Sequence, residues 1–551
     1  MQSTSSLLTP ILVLVAPLIL LLAGLIPTAW ANQRSQFMAR LNGTLSWSAC
    51  FSALLAAAVY SFDGTRTWTL YTIDLPGDIG AFSISAYVNS VTVIMLVLVS
   101  FVGAVVTRYS RNYLDGDRSQ GRFHKWLSLT LGTILALIIS GNMLMFWLAW
   151  ISNSLCLHQL LTFYRERRAA QLAAHKKFIA NRISDLSHLT AIVLIGSTLH
   201  SLEYSDLLSS MAAMQGPLPP ALQWASMLIV LSAVLKSAQF PLHGWLIQVV
   251  EAPTPVSALL HAGIVNAGAF LVIRMSPIMS QSELALGTLA VIGLITLALA
   301  SLVMLTQTSI KVSLAWSTTA QMGFMLMECG LGLYSLAMLH LVAHSLYKAH
   351  AFLASGSGVD TFRAPAITSS TGDFKPGRLV IALATGGLMA VAVGAVFGIT
   401  PEAQPALIAA GTIVAIAMGQ LLLQTASVMS NGAFLLRGLG LSAIVCIAYF
   451  TLHALFEMAL QGNVPNIQDM AGPFQSALAL AIVGVFLALL MLQMVLKYAT
   501  APLVEGLYMH LYNGLYIDVY ITRLLQRVWP SPTPIQGSLP TPFAAQKSHG
   551  G

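Results

Sequence analysis

Again and again along its 551 residues, the chain runs for about 20 residues with hardly a charge, the length of helix that crosses a hydrocarbon bilayer. Lipid offers the backbone no hydrogen bonds, so such stretches have to close their N–H and C=O groups internally, as helices. Fifteen windows qualify: 6–26, 45–61, 86–107, 124–140, 142–163, 178–200, 221–247, 255–276, 284–305, 308–329, 333–356, 378–399, 404–429, 433–458 and 474–497. The expected fold class is an all-α polytopic membrane protein of about fifteen transmembrane helices. Charged residues make up only 8% of the chain, against about 25% in soluble domains, so the spans fill nearly its whole length. The run from Leu7 to Ile26 has no basic flank and is long enough to span, which reads as a retained first helix rather than a cleaved leader.

Net charge is +7, and in a chain of spans this is a topology signal, with no basic folded face to suggest nucleic acid. Arg108, Arg111, Arg118, Arg122 and Lys125 cluster in one connection, and Arg165, Arg167, Arg168, Lys176 and Lys177 in another. The loops 62–85 and 201–220 hold one basic residue between them, Arg66. The positive-inside rule then sets the basic loops in the cytoplasm, the N-terminus outside and the C-terminus inside. Cys50, Cys156, Cys329 and Cys446 stand singly in apolar runs without metal or disulfide spacing. No Gly-rich phosphate loop, CxxC series or soluble cofactor domain is visible, so no cofactor or metal is expected and the chain reads as a transport subunit rather than an enzyme. After the last window, residues 503–529 form an amphipathic segment, either interfacial or a docking surface. The final stretch, with Pro532, Pro534, Pro540 and Pro542, reads as disordered.

Ionisable residues inside spans cost about 2.5–3.5 kcal/mol each on the insertion scale and so call for a function. Lys236 sits within an apolar run, with Pro241 five residues on and Pro253 and Pro255 bracketing a turn. Burial disfavours an ammonium and a nearby carboxylate favours it. A Lys with a movable acidic partner is therefore a switchable proton store. Arg182 and Asp185 are three apart and share a helical face as an ion pair, structural or functional. His261 follows in the next span, as a relay or as a satisfied core residue. Glu251 reads as a helix-end cap. His340, His344 and Lys348 stand at i, i+4 and i+8 and make one titratable stripe. The HxxxH spacing also occurs in zinc sites, but no nearby thiol or carboxylate completes a set. Lys311 falls on the same path or at its cytoplasmic mouth.

The blocks VTVIMLVLVSFVGAVVTRYSRNYL, AAHKKFIANRISD, KSAQFPLHGWL, EAPTPVSALLHAG, QTSIKVSLAWSTTAQMGFM and HLVAHSLYKAHAFLASGS occur in that order between residues 80 and 360. Together they resemble the antiporter-like proton-translocating family, which includes the subunit L type of respiratory complex I, Mrp-type large subunits and the DabB subunits of bacterial inorganic-carbon accumulation complexes. The resemblance implies a bacterial inner-membrane location and two inverted five-helix repeats. On the window boundaries these are 124–276 and 277–430, after three N-terminal helices in 1–123 and before two more in 431–499, with 500–551 cytoplasmic. Each repeat is expected to hold a broken helix, near Pro241 and near Gly386–Gly387. By position, Lys236 resembles the central proton-carrying lysine, His261 its relay, and His340, His344 and Lys348 the second half-channel.

Three departures narrow the reading. The family's fifth helix has a glutamate after a tryptophan, and here Ile151 stands there, which leaves Asp185 as the carboxylate for Lys236. Window 378–399 has no Lys or Glu after Arg378. The chain stops soon after the fifteenth window, with no room for a long lateral helix and further span. These features resemble the DabB type best. That resemblance implies a large soluble cytoplasmic zinc protein as partner (the DabA type, similar to a β-carbonic anhydrase) and cation flow, of protons, coupled to CO2 hydration. The alternatives are a proton-pumping subunit of a complex I-like or Mrp assembly, and a non-conducting membrane scaffold.

Overall fold

A computed structural model describes residues 8–214, 216–355, 376–398, 405–428, 432–465, 473–498 and 502–529. The tail expected to be disordered lies outside these residues. The elements are α1 (Leu8–Gly24), α2 (Ser35–Asp63), β1 (Arg66–Asp74), β2 (Ala81–Val88), α3 (Ser90–Tyr113), α4 (Gln120–Ile139), α5 (Met143–Leu161), α6 (Arg168–Leu199) and α7 (Pro220–Lys236). They continue as α8 (Gly244–Gln248), α9 (Thr254–Ala262), α10 (Ala267–Arg274), α11 (Glu283–Met304), α12 (Ile310–Gly330) and α13 (Tyr334–Ala354). Then come α14 (Pro376–Val396), α15 (Pro405–Val428), α16 (Gly432–Leu460), α17 (Pro473–Tyr498), α18 (Pro502–Tyr512) and α19 (Ile517–Val528). Short helices fill some connections. Among the described residues ten spans are long and apolar enough to cross a membrane, and three further apolar helices are shorter. The fifteen sequence windows all fall mainly on helix.

Burial runs inside out, as a bilayer demands. Leu388, Ile444 and Leu480 are exposed on outer faces, whereas Lys236, Lys348, His188 and His261 are buried. The strictly helical expectation misses one feature, an antiparallel hairpin of β1 and β2 in the loop 62–85. Alternation in the second strand gives it a buried face. Glu203 accepts hydrogen bonds from Ser83 and Ser85, and from Asn142 at 2.9 Å, so the hairpin is tied to the start of α5 and to the connection after α6.

The break between α7 and α8 is real, and it starts earlier than Pro241. Proline lacks an N–H for the carbonyl of residue 237 and its ring clashes there, so the helix ends at Lys236. Ala238 takes a positive φ of 50°. The Phe240 N–H, freed from any helix, donates to Thr296 Oγ1 on α11 at 3.1 Å. A second break, unforeseen in the sequence, separates α9 from α10 over Gly263–Asn266. Pro253 and Pro255 act where expected, at the start of α9.

Two expectations are overturned. No break occurs at Gly386–Gly387, because α14 runs unbroken from Pro376 to Val396. Gly386 instead lets α15 approach: a Cβ there would stand 2.5 Å from the Ala415 carbonyl oxygen, which is small-residue packing between membrane helices. Second, Lys176 and Lys177 are not loop cations, since α6 begins at Arg168 and buries both. Lys176 Nζ pairs with Asp518 of α19 at 2.7 Å, and Gln248 Nε2 donates to the same carboxylate at 2.7 Å. The C-terminal segment thereby docks on α6 and α8 beneath the first break.

Gly386→Val is expected to push α14 from α15 and to cost about 1–3 kcal/mol, the range for overpacking, visible as a lower unfolding temperature in detergent. Asp518→Ala strands a buried Lys176. The cost falls below the roughly 3–5 kcal/mol of a fully buried pair, because Asp518 keeps 31% of its side-chain surface. Adding Lys176→Met should restore most of the loss in the same unfolding measurement.

Candidate functional site

Two buried titratable clusters lie side by side. The first forms where α5, α6 and the end of α7 meet. Lys236 is the last residue of α7, where the helix stops for the reason given above, and its ammonium is buried without a hydrogen-bond partner among the described residues. Its Nζ lies 4.1 Å from the centre of the Trp150 ring, a cation–π contact strengthened by desolvation. Ile151, where a carboxylate was due, is partly exposed. The side chain of α5 that meets Lys236 is Trp150.

Asp185 is buried on α6 and its charge acts on Lys236, but its direct partner is Arg182, Nη2 to Oδ2 at 2.6 Å. No Lys236–Asp185 ion pair occurs among the described residues. Arg182 and Asp185 thus form the internal pair, and Asp185 acts on Lys236 through its charge without touching it. The sequence reading missed two neighbours. Lys177 is buried and interacts electrostatically with Lys236, Arg182 and Asp185. His188 is fully buried, with neither ring nitrogen hydrogen-bonded among the described residues, edge-on to Trp150 at 5.5 Å between ring centres. His188 was findable, because it lies three residues beyond Asp185 on the same helical face. Lys177 was not, because a basic residue near a predicted helix end reads as a loop charge.

The second cluster forms between α9, α12 and α13. His261 is fully buried, stacks on Phe352 of α13 at 4.3 Å between ring centres, and interacts with Lys348 and His344. His340, His344 and Lys348 do share a face. The rings of the two histidines are 6.3 Å apart, and Lys348 Nζ donates to the Leu314 carbonyl at 3.1 Å. His340 is held from both sides by α12, Nδ1 to Glu328 Oε2 at 2.9 Å and Nε2 to Gln321 Oε1 at 2.6 Å. Both of its nitrogens are thus engaged. Nothing in the sequence around Glu328 marks it, because its partner His340 stands on the next helix.

The two helix breaks join the clusters. Ser237, next to Lys236, donates to the Val265 carbonyl at 3.3 Å, and Asn266 Nδ2 donates to Ser345 Oγ, next to His344, at 2.9 Å. A Cβ on Gly268 would run into Ser237 Oγ, so α10 meets the end of α7 at backbone distance. Arg274 anchors the far end of α10 through the Ile138 carbonyl at 2.7 Å and Thr92 Oγ1 at 2.9 Å. On the side of the basic loops, Lys311 Nζ donates to Thr254 Oγ1 at 3.0 Å, at the turn before α9. Glu251 is half exposed there and pairs with Arg167 at 3.5 Å, a surface contact.

Comparison with known proteins fits this arrangement. The family described as "NADH:quinone oxidoreductase/Mrp antiporter, TM" matches residues 140–391, and "NADH-Ubiquinone oxidoreductase (complex I), chain 5 N-terminus" matches residues 77–124. The chain is 43% identical over 95% of its length, and 94% of the relative's, to the probable inorganic carbon transporter subunit DabB2 of Halothiobacillus neapolitanus. It is 39% identical over 82% of its length, and 84% of the relative's, to the probable inorganic carbon transporter subunit DabB of Hydrogenovibrio crunogenus. A chain of the Mrp complex from Dietzia sp. shares the fold, with a TM-score of 0.54 at 21% identity over 97% of this chain and 58% of that one. With the broken α7–α8 helix, the buried lysine and these matches in hand, the chain belongs to the antiporter-like family of NADH:quinone oxidoreductase and Mrp membrane subunits, together with the DabB proteins.

Proposed function

We propose that this chain conducts protons across the membrane as the membrane subunit of an inorganic-carbon accumulation complex. The observation that carries the reading is the pair of buried titratable clusters joined where two helix breaks touch. Lys236 can store a proton because its ammonium is stabilised weakly, by the Trp150 face and by Asp185 at a distance. Asp185 turning from Arg182 toward Lys236 favours the charged lysine, and turning back favours release. The released proton passes the polar side chains at the breaks, Ser237, Asn266 and Ser345, to His344 and His261, and then along His340 and Lys348. Lys311 marks the mouth on the side of the basic loops. Histidine suits this work because it gains and loses a proton near neutral pH.

The partner expected on the cytoplasmic face is a large soluble zinc protein similar to a β-carbonic anhydrase. Proton flow down its gradient through this chain would make that partner hydrate CO2 in one direction only. The relatives' names, probable inorganic carbon transporter subunits matched over 95% and 82% of this chain, support the inorganic-carbon role and the presence of a partner. A pumping role in a redox-driven assembly is the competing reading, favoured by the shared 140–391 module. Co-purification separates them: one zinc protein as sole partner fits the proposal, and an iron–sulfur or multi-subunit Mrp assembly overturns it.

Lys236→Gln is expected to abolish proton flux and carbon-dependent growth rescue while the complex still assembles, read by dye-reported flux in proteoliposomes and by growth at ambient CO2. Unchanged flux removes Lys236 from the path. Gly268→Val should part the two breaks and lower flux at least tenfold with both clusters chemically intact, measured in the same vesicles.

A further inference from the structure

The path just proposed reaches His340 and then lacks an obvious way out, since α14 has no Lys or Glu beyond Arg378. We propose that protons leave the stripe through Glu328 of α12 and then through His453 and Glu457 of α16, on the membrane side opposite the basic loops. The inference rests on the conduction reading and adds its second outlet.

Glu328 is buried, and among the described residues no Lys or Arg forms an ion pair with it. Its one ionic contact is His340, Nδ1 to Oε2 at 2.9 Å. A buried carboxylate needs a partner for its charge, and the His340 ring, in hydrogen-bond contact with it, is the group with which Glu328 can exchange a proton. On the opposite ring nitrogen, Nε2 stands 2.6 Å from the Gln321 side-chain oxygen, an acceptor, and it donates there in the tautomer that exchanges a proton at Nδ1. Nδ1 then carries the mobile proton or none. In the transfer step the Nδ1–H bond of imidazolium breaks and an O–H bond forms on Glu328. A charged pair becomes a neutral imidazole and a neutral carboxylic acid, with no other reactant required.

Beyond Glu328 the titratable groups continue on α16. Tyr449 and His453 on α16 are within its electrostatic reach, and α16 packs against α13. His453 is buried with neither ring nitrogen hydrogen-bonded among the described residues, and its Nε2 stands 3.9 Å from Glu457 Oε2 one turn on. Glu457 has 44% of its side-chain surface exposed. Two buried groups thus lead to one that touches the surface. The direction is consistent in the fold: Glu328 precedes the turn from α12 to α13, and α16 ends at Leu460 on that same side. There Asn463 accepts a hydrogen bond from Thr65, next to β1, at 3.3 Å.

A carboxylate that merely orients His340 would look similar, and one substitution separates the roles. Glu328→Gln keeps the size and a hydrogen bond to His340 but holds no transferable proton. In vesicles containing the full chain with its partner, under an imposed potential, Glu328→Gln is expected to lose at least tenfold in proton flux. Glu328→Asp should keep most of it, with the unfolding temperature of both near the parent's. Flux in Glu328→Gln equal to the parent's overturns the proposal while leaving the conduction reading in place. Should Glu328→Gln fail to assemble, His453→Gln carries the test, because it leaves the Glu328–His340 contact untouched. A tenfold loss there supports the outlet and unchanged flux overturns it. A parent protein without flux overturns both readings together.

Discussion

Two interruptions in hydrogen-bonded helix, at residues 237–243 and 263–266, rest on one another inside the membrane, and much of the molecule serves to make them tolerable. Unpaired backbone in lipid costs several kcal/mol per group. Here the cost is offset locally, with the Phe240 N–H given to Thr296, the Val265 carbonyl given to Ser237, and α10 brought to backbone distance by Gly268. The same arrangement sets Lys236 at a helix end and His344 one residue from a polar contact. Structural satisfaction and a polar path are thus one solution to one constraint.

The charges around Lys236 are loosely paired: its ammonium faces an indole, and the nearby carboxylate of Asp185 is engaged by Arg182. Lys177 adds a second buried amine beside them. In the second cluster the balance is kept by hydrogen bonds. Gln321 and Glu328 clamp His340, and Lys348 leans on a main-chain carbonyl. The docking of Asp518 on Lys176 and Gln248 adds a mechanical link, because α8, just beyond the first break, is held by the C-terminal segment.

Sequence reasoning found the parts and misjudged some of their duties. Proline at 241 announced a break, but the ring acts on the carbonyl four residues earlier, so the helix stops at Lys236. Gly386–Gly387 looked like a matching break and proves to be a packing contact, since a glycine pair carries no steric veto against helix. Lys176 and Lys177 read as loop charges because hydropathy cannot tell a helix end wrapped in protein from one in water. Glu328 and His188 were each passed over as single polar residues. Their importance comes from helices far away in the chain.

The sequence by itself determined that this chain lies in a membrane, that its helices carry titratable residues too costly to be incidental, and that one helix breaks beside Lys236. Those conclusions need only local chemistry, namely apolar length, helical period and the proline ring. Only the tertiary structure decided that Trp150 faces Lys236 where a glutamate was expected, that Glu328 meets His340, and that the two breaks touch. These are contacts between separate helices, and their geometry depends on how helix faces pack together, which no single stretch of residues encodes.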